Sequence, residues 1–294
     1  MQTGFVGLGA MGVHMARSLH RSGLLTGVWN RTTDKATVLA RELKCHAFTS
    51  LAELAGNCEA VVICVSADDD LRAVVAGLDP GLSPNMIVMD ASTVGAGTAR
   101  DMHGHLATLG VGFLDCPVSG GVEGARNASL VIMTGGEESV FDRALPILQT
   151  LGKTVTYFGP SGAGQAAKAT NQIMCAGIIQ AVGEAMAFAQ AEGLPLDRLI
   201  ETLGKGAGSS WYFVNRAPFM ANQQYPAGFR VRLHDKDLRI CRDMAAKRGA
   251  RLPVVESTLQ EYAELIARGF GDEDISAIYR LKSALYPQQA PESP

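Results

Sequence analysis

The chain has 294 residues, with 26 Lys plus Arg against 29 Asp plus Glu, a net charge of −3. Hydrophobic residues make up 47 % and charged residues 19 %, which supplies a large core, excludes global disorder and argues against a basic nucleic-acid surface. The length suits two domains.

Short apolar runs at residues 4–7, 27–29, 60–65, 86–89, 112–114, 130–133 and 154–158 read as strands. Helix-like segments at 10–22, 34–44 and 96–109 fall between them, and that alternation predicts crossover units on a mostly parallel sheet. After Gly159-Pro160 the pattern changes: 163–192, 195–206, 235–248, 254–268 and 274–284 carry helical signals. The expected fold is therefore an α/β, Rossmann-type doubly wound sheet over residues 1–161, then an all-helical domain over 162–294 that opens on a long helix. The tail beyond 286 reads as frayed.

Residues 173–191 hold one charge in nineteen positions, close to the ~20 residues that span a bilayer. Gln180, Glu184 and Gln190 interrupt that run and no basic flank adjoins it, so a buried helix of a soluble core is the better reading and no membrane partner is expected. No basic, cleavable leader opens the chain, and six scattered cysteines without C-x-x-C spacing fit a reduced, cytoplasmic protein. His103 and His105 stand two apart, which on a helix does not give a shared face, and no second ligand cluster follows; no metal is expected.

Gly7-Leu8-Gly9-Ala10-Met11-Gly12 forms G-x-G-x-x-G after a strand and before a helix. Gly7 permits the tight turn, Gly9 lets a pyrophosphate approach the backbone, and Gly12 lets helix and strand pack; the N–H groups at the helix start favour an anion. A second run, Gly162-Ala163-Gly164-Gln165-Ala166-Ala167, is a decoy, because a long apolar helix follows it with no further strand. At the end of the second strand stands Asn30-Arg31-Thr32 in place of an acid. A guanidinium pairs with a 2′-phosphate and no carboxylate at that point repels it, so NADP(H) is the expected cofactor, with NAD(H) the lesser one.

Asp115-Cys116-Pro117-Val118-Ser119-Gly120-Gly121 follows a strand, and its glycines expose backbone N–H groups suited to a carboxylate. Lys168, Asn171, Gln172 and Cys175 share one face of the long helix. A lysine in so apolar a helix is costly unless paired or useful, and burial lowers a lysine pKa, which suits a proton shuttle. His234-Asp235-Lys236-Asp237 reads as a polar cluster before a helix, with Asp235 a candidate N-cap.

Taken together, these segments resemble the β-hydroxyacid dehydrogenases, a family that includes 3-hydroxyisobutyrate dehydrogenase, tartronate semialdehyde reductase and the glyoxylate/succinic semialdehyde reductases. GFVGLGAMGVHMA is similar to the amino-terminal signature, DCPVSGG to the substrate segment, GAGQAAKATNQ to the catalytic segment, HDKDL to the carboxy-terminal lysine segment and DASTV to the loop beside the nicotinamide. The resemblance covers about residues 3–285. It implies that Lys168 is the catalytic lysine, that Asn171 and Gln172 place the substrate, and that Ser119, Gly120 and Gly121 bind its carboxylate. It further implies that Thr93 and Lys236 touch the cofactor near the nicotinamide, and that Val65-Ser66 stands where the family has Leu-Pro after the third main strand.

The implied reaction interconverts a short 3-hydroxy acid and its semialdehyde by hydride transfer to and from the nicotinamide, in a homodimer or homotetramer. Gln172 in place of a second asparagine matches the tartronate semialdehyde reductases, and Asp68-Asp69-Asp70 is a departure from the family. Trp211, in a segment where relatives vary, is a candidate for setting substrate size. Lys168 argues against the related imine reductases, which lack that lysine, and against a non-catalytic dinucleotide reader.

Overall fold

A computed structural model describes residues 1–286. Its backbone runs β1 (Thr3–Val6), α1 (Gly12–Arg21), β2 (Leu25–Trp29), α2 (Thr33–Leu43), β3 (His46–Ala47), α3 (Leu51–Gly56), β4 (Ala60–Ile63) and α4 (Asp68–Leu78). It continues through β5 (Ile87–Asp90), α5 (Ala96–Thr108), β6 (Gly112–Asp115), β7 (Val118–Ser119), α6 (Gly121–Arg126), β8 (Leu130–Gly136), α7 (Glu138–Leu148) and β9 (Gly152–Gly159). Helices then follow alone: α8 (Ala163–Ala191), α9 (Leu196–Leu203), α10 (Trp211–Ala221), α11 (Val231–Ala246), α12 (Pro253–Ala267) and α13 (Tyr279–Ser283).

The strands form one sheet in the order β3-β2-β1-β4-β5-β6-β8-β7, with β9 beside β8. Pairing is parallel except where β8 meets β6 and β7. The order reverses between β1 and β4, so the crevice at their carboxyl ends is where such a sheet takes a ligand.

The strands are apolar on both faces because both faces are covered. Phe5, Ala60, Val62, Ile87 and Met89 enter one core cluster with Met15 and Leu19 of α1. Their neighbours Val6, Val61, Ile63 and Val88 enter the other with Leu54 and Leu71. Alternate residues of a strand point to opposite faces, and each fully buried aliphatic or aromatic side chain contributes roughly 1.5–3 kcal/mol. This explains why residues 60–63 of β4 and 87–89 of β5 read as apolar runs rather than as alternating patterns.

By contact density the chain divides after Lys168, whereas the composition shift falls at 161. The second unit has its own core, in which Ala176, Ile179, Val182, Met186 and Ala187 of α8 meet Phe213, Leu238, Val255 and Tyr262. Half of α8's most apolar stretch is buried, while Met174 and Phe188 are 60 % and 52 % exposed. The helix read from the sequence as a core helix is thus buried over only half of that stretch.

A further correction concerns the HDKDL segment, which lies inside α11 rather than ahead of it. That helix starts at Val231 on Arg230, which supplies no side-chain cap. Its first N–H groups go instead to backbone carbonyls, Val231 to Glu273 at 2.9 Å and Arg232 to Gly271 at 3.0 Å. Asp235 is consequently an internal residue, paired with Arg239 one turn on.

Candidate active site

At the amino-terminal turn, Gly7 has φ of +97°, and a Cβ there would lie 2.1 Å from the carbonyl oxygen of Cys64. A Cβ on Gly12 would sit 1.9 Å from the Gly7 carbonyl oxygen. Backbone geometry thus demands both glycines. Gly9 differs: a Cβ there meets nothing within 4 Å, so it borders open space. Residues Leu8, Gly9 and Ala10 line a surface hollow of about 480 Å³. No acidic residue occupies the first turn of α1, and the first N–H groups of a helix have no intrahelical acceptor. An open glycine at the mouth of such a helix fits the pyrophosphate of a dinucleotide.

Asn30 braces this turn, its Oδ1 accepting from the Leu8 N–H at 2.8 Å while its Nδ2 donates to the Thr32 carbonyl at 3.0 Å. The expectation that no carboxylate stands against a 2′-phosphate beside Arg31 is corrected. Asp70, in the first turn of α4, lies 2.8 Å from its guanidinium.

The loop over residues 90–95 is held from several sides. The Ser92 N–H donates to Asp90 at 3.0 Å, and the Ser92 hydroxyl accepts from the Val65 N–H at 2.8 Å. Asp68 accepts from the Gly95 N–H at 2.9 Å and from the Thr98 hydroxyl at 2.6 Å. Gln165, only 1 % exposed, donates from Nε2 to the Ser92 carbonyl at 2.9 Å and accepts at Oε1 from the Val94 N–H at 3.2 Å. Its amide therefore grips both flanks of Thr93. Lys168, 6 % exposed, follows three residues later on the same helical face. Ser66, by contrast, is exposed.

The start of α8 is fixed by Asp115, which is wholly buried. Its carboxylate accepts from the N–H groups of Gly162 at 2.7 Å and Gln165 at 2.9 Å. Burial raises the pKa of this carboxyl, and the N–H bonds oppose that rise. A Cβ on Gly164 would stand 2.4 Å from the Met133 carbonyl oxygen. So the second glycine run has a physical account: its glycines admit a close strand and its N–H groups are already spent on an internal anion.

Ser119 ends β7, which pairs with β8. Gly120 and Gly121 follow with φ of +124° and +61°, a pair of left-handed residues that turns the chain into α6.

In the second unit, Asn171 Nδ2 donates to Gln172 Oε1 at 2.9 Å, and Gln172 Nε2 donates to Asp237 at 2.7 Å. The Lys236 ammonium lies 3.1 Å from the other oxygen of Asp237. Buried His234 joins the Tyr262 hydroxyl at 3.0 Å and the Gln172 carbonyl at 3.3 Å. Gln172 is 1 % exposed, with both ends of its amide engaged. Trp211 is 59 % exposed, with the Arg216 guanidinium 5.0 Å from its ring centre.

Sequence reasoning missed Gln165, Asp115, Ser92, Asp237 and Asp70 as parts of this architecture. A polar residue at the i−3 position from Lys168 in an otherwise apolar helix is the one local signal that pointed to Gln165. Among the described residues no group of three or more His, Cys, Asp or Glu is placed to hold a metal ion.

Residues 2–159 match the NAD binding domain of 6-phosphogluconate dehydrogenase. Residues 162–282 match a domain described as the NAD-binding domain of NADP-dependent 3-hydroxyisobutyrate dehydrogenase. An uncharacterized oxidoreductase of Shewanella frigidimarina is 37 % identical over 277 residues, covering 93 % of this chain and 95 % of the relative. The L-threonate dehydrogenase of Escherichia coli K12 is 30 % identical, covering 96 % and 95 %. Among solved structures, Mycobacterium tuberculosis 3-hydroxyisobutyrate dehydrogenase with L-serine superposes with a TM-score of 0.88 at 30 % identity, over 96 % of this chain and 99 % of that one.

Proposed function

The chain belongs to the β-hydroxyacid dehydrogenase family of NAD(P)-binding oxidoreductases, and we propose that it interconverts a short 3-hydroxy acid and its semialdehyde with Lys168 as general acid and base. The nicotinamide, when bound, supplies or accepts the hydride. Protonated Lys168 gives its proton to the carbonyl oxygen in reduction and opposes the negative charge that develops there; neutral Lys168 takes the hydroxyl proton in oxidation. The observation that carries this reading is Gln165, whose amide ties the Thr93 loop to the helical turn bearing Lys168. A loop beside a nicotinamide and an acid/base group both need fixed placement, and one buried side chain serves both.

On the substrate side, the Ser119 hydroxyl and the amides of Gly120 and Gly121 hold the carboxylate, and Asn171 orients the reacting carbon. Gln172 acts through Asn171, because its amide is engaged at both ends. Lys236, steadied by Asp237, and Thr93 serve the nicotinamide end; Val65 and Ser66 border the adenosine side. Residues 7–12 hold the pyrophosphate, Asn30 and Thr32 shape the adjoining loop, and Arg31 takes a 2′-phosphate, which favours NADP(H) over NAD(H). The first unit thus carries the cofactor and the second contributes to substrate binding and self-association. The exposed Met174 and Phe188 on α8 and the lack of any fully buried residue in α9 support a homodimer or homotetramer. Six free cysteines fit a reducing cytoplasm.

The relatives' names point to threonate, serine and 3-hydroxyisobutyrate, each with a hydroxyl and a carboxylate. The test is steady-state kinetics with NADPH and NADH against glyoxylate, succinic semialdehyde, tartronate semialdehyde and methylmalonate semialdehyde, and with NADP+ and NAD+ against serine and 3-hydroxyisobutyrate. Turnover of at least one of these acids, faster with the phosphorylated cofactor of the pair, is expected. Turnover of a ketone with an amine and of none of these acids overturns the reading in favour of imine reduction.

A further inference from the structure

We propose that Asp70 is a cofactor-discriminating residue: its carboxylate, paired with Arg31, sets an upper limit on this chain's selectivity for NADP(H) over NAD(H). The inference rests on the reading that Arg31 takes the 2′-phosphate, and it adds a second residue from a different element.

The two side chains arrive from opposite sides of one strand. Arg31 follows β2 and Asp70 sits in the first turn of α4, after β4; β2 and β4 flank β1 in the sheet. The pair therefore bridges the carboxyl end of β1, where the glycine turn begins. The guanidinium is 84 % exposed and the carboxylate 28 %, with 2.8 Å between them. The neighbouring acids do other work or none in this bridge. Asp68 turns its Oδ1 to Gly95 of the nicotinamide-side loop and to Thr98 of α5, and Asp69 is exposed.

A 2′-phosphate brings about −1.5 to −2 charges to the guanidinium. It meets one carboxylate already there, which competes for the same N–H donors and repels the incoming anion. A bare 2′-hydroxyl meets neither cost, and it can donate a hydrogen bond to the carboxylate. The charge that Arg31 offers to NADP(H) is thus partly spent within the protein. Because the pair is solvent-exposed, the effect is modest and screened by salt.

Equilibrium titration of the whole protein with NADPH and with NADH, followed by nicotinamide fluorescence without substrate, tests this. Asp70→Asn is expected to tighten NADPH about three- to tenfold while NADH stays the same or weakens. Asp70→Ser, which removes the charge with a smaller side chain, is expected to shift NADPH in the same direction. An unchanged denaturant midpoint reports that each variant keeps its fold. An unchanged or weaker NADPH affinity, or equal tightening of both dinucleotides, overturns the assignment. Arg31→Ala separates the two levels. A loss of NADPH affinity there with no gain in Asp70→Asn removes Asp70 alone. No loss in Arg31→Ala removes the reading of Arg31, and this proposal with it.

Discussion

Two glycine-rich turns of this chain look alike in sequence and behave in opposite ways. Each follows a strand and opens a helix. At residues 7–12 the central glycine borders open space and no acid stands in the first helical turn. At residues 162–164 a buried carboxylate, Asp115, already fills the place an anion would take. On the proposed reading the first turn is a cradle left for a ligand; the second is occupied by the protein's own carboxylate. The occupied one fixes the first turns of α8, from which Lys168 projects. A glycine pattern therefore specifies how closely backbone is approached, and the nearest carboxylate decides whether the approaching group is internal or foreign.

The sharpest way to test this division is to separate binding from chemistry. Lys168→Ala is expected to lower kcat by about 10²- to 10⁴-fold, with the dissociation constant for NADPH, read by fluorescence titration, unchanged within about twofold. Near-full turnover in this variant overturns the acid/base role of Lys168. The sign of the pH effect follows from the same role. Oxidation consumes the neutral amine, so its rate climbs with pH while that population grows; reduction consumes the ammonium and does not gain. Paired pH profiles of the two directions check it, and parallel profiles exclude the role.

The next effect is on stability. A methyl group on Gly164 meets the backbone oxygens of Met133 and Asp115 at 2.4 and 2.6 Å, and neither can yield without moving a core strand. Gly164→Ala is expected to cost about 3 kcal/mol, read as a lower denaturant midpoint. Asp115→Asn keeps the shape but turns an N–H donor toward one of the two donors now bonded to the carboxylate, at a cost of about 1–3 kcal/mol. Equal stability of wild type and either variant contradicts the internal-anion reading.

How much of this was legible in the sequence depended on range. Strands such as β4 and β5, and the turn at 7–12, announce themselves because their causes are local: unbroken apolar runs, and glycines where one backbone crosses another. The strands β3 and β7, two residues each, were too short to register. The clamps were not legible. Asp115 caps a helix 47 residues away, Gln165 grips a loop 73 residues back, and Asp70 reaches Arg31 across 39 residues. No periodicity encodes such pairings. The misplaced start of α11 has the same cause. Its N–H groups are satisfied by the backbone of residues 271–273, so no Ser, Thr, Asp or Asn marks the boundary. The candidate residues themselves stood out because they break local patterns: a lysine in an apolar helix, two glycines after a serine.

The smallest effect carries the finest distinction between the turns. Gly9 has no left-handed backbone to protect and no neighbour within 4 Å of an added Cβ. Gly9→Ala therefore fits the folded chain without strain, and it reduces the freedom of the unfolded one, which stabilises by roughly 0.4–1 kcal/mol. If that space holds the pyrophosphate, as proposed, the same methyl group intrudes on it, and NADPH and NADH should both bind about tenfold more weakly. Opposite signs in one variant, a higher denaturant midpoint and a weaker dinucleotide, mark a glycine retained for a ligand. Gly164→Ala, which loses stability directly, marks a glycine retained for the fold. If Gly9→Ala instead destabilises the protein while leaving dinucleotide affinity intact, the two turns are alike after all, and the cradle at residues 7–12 loses its assignment.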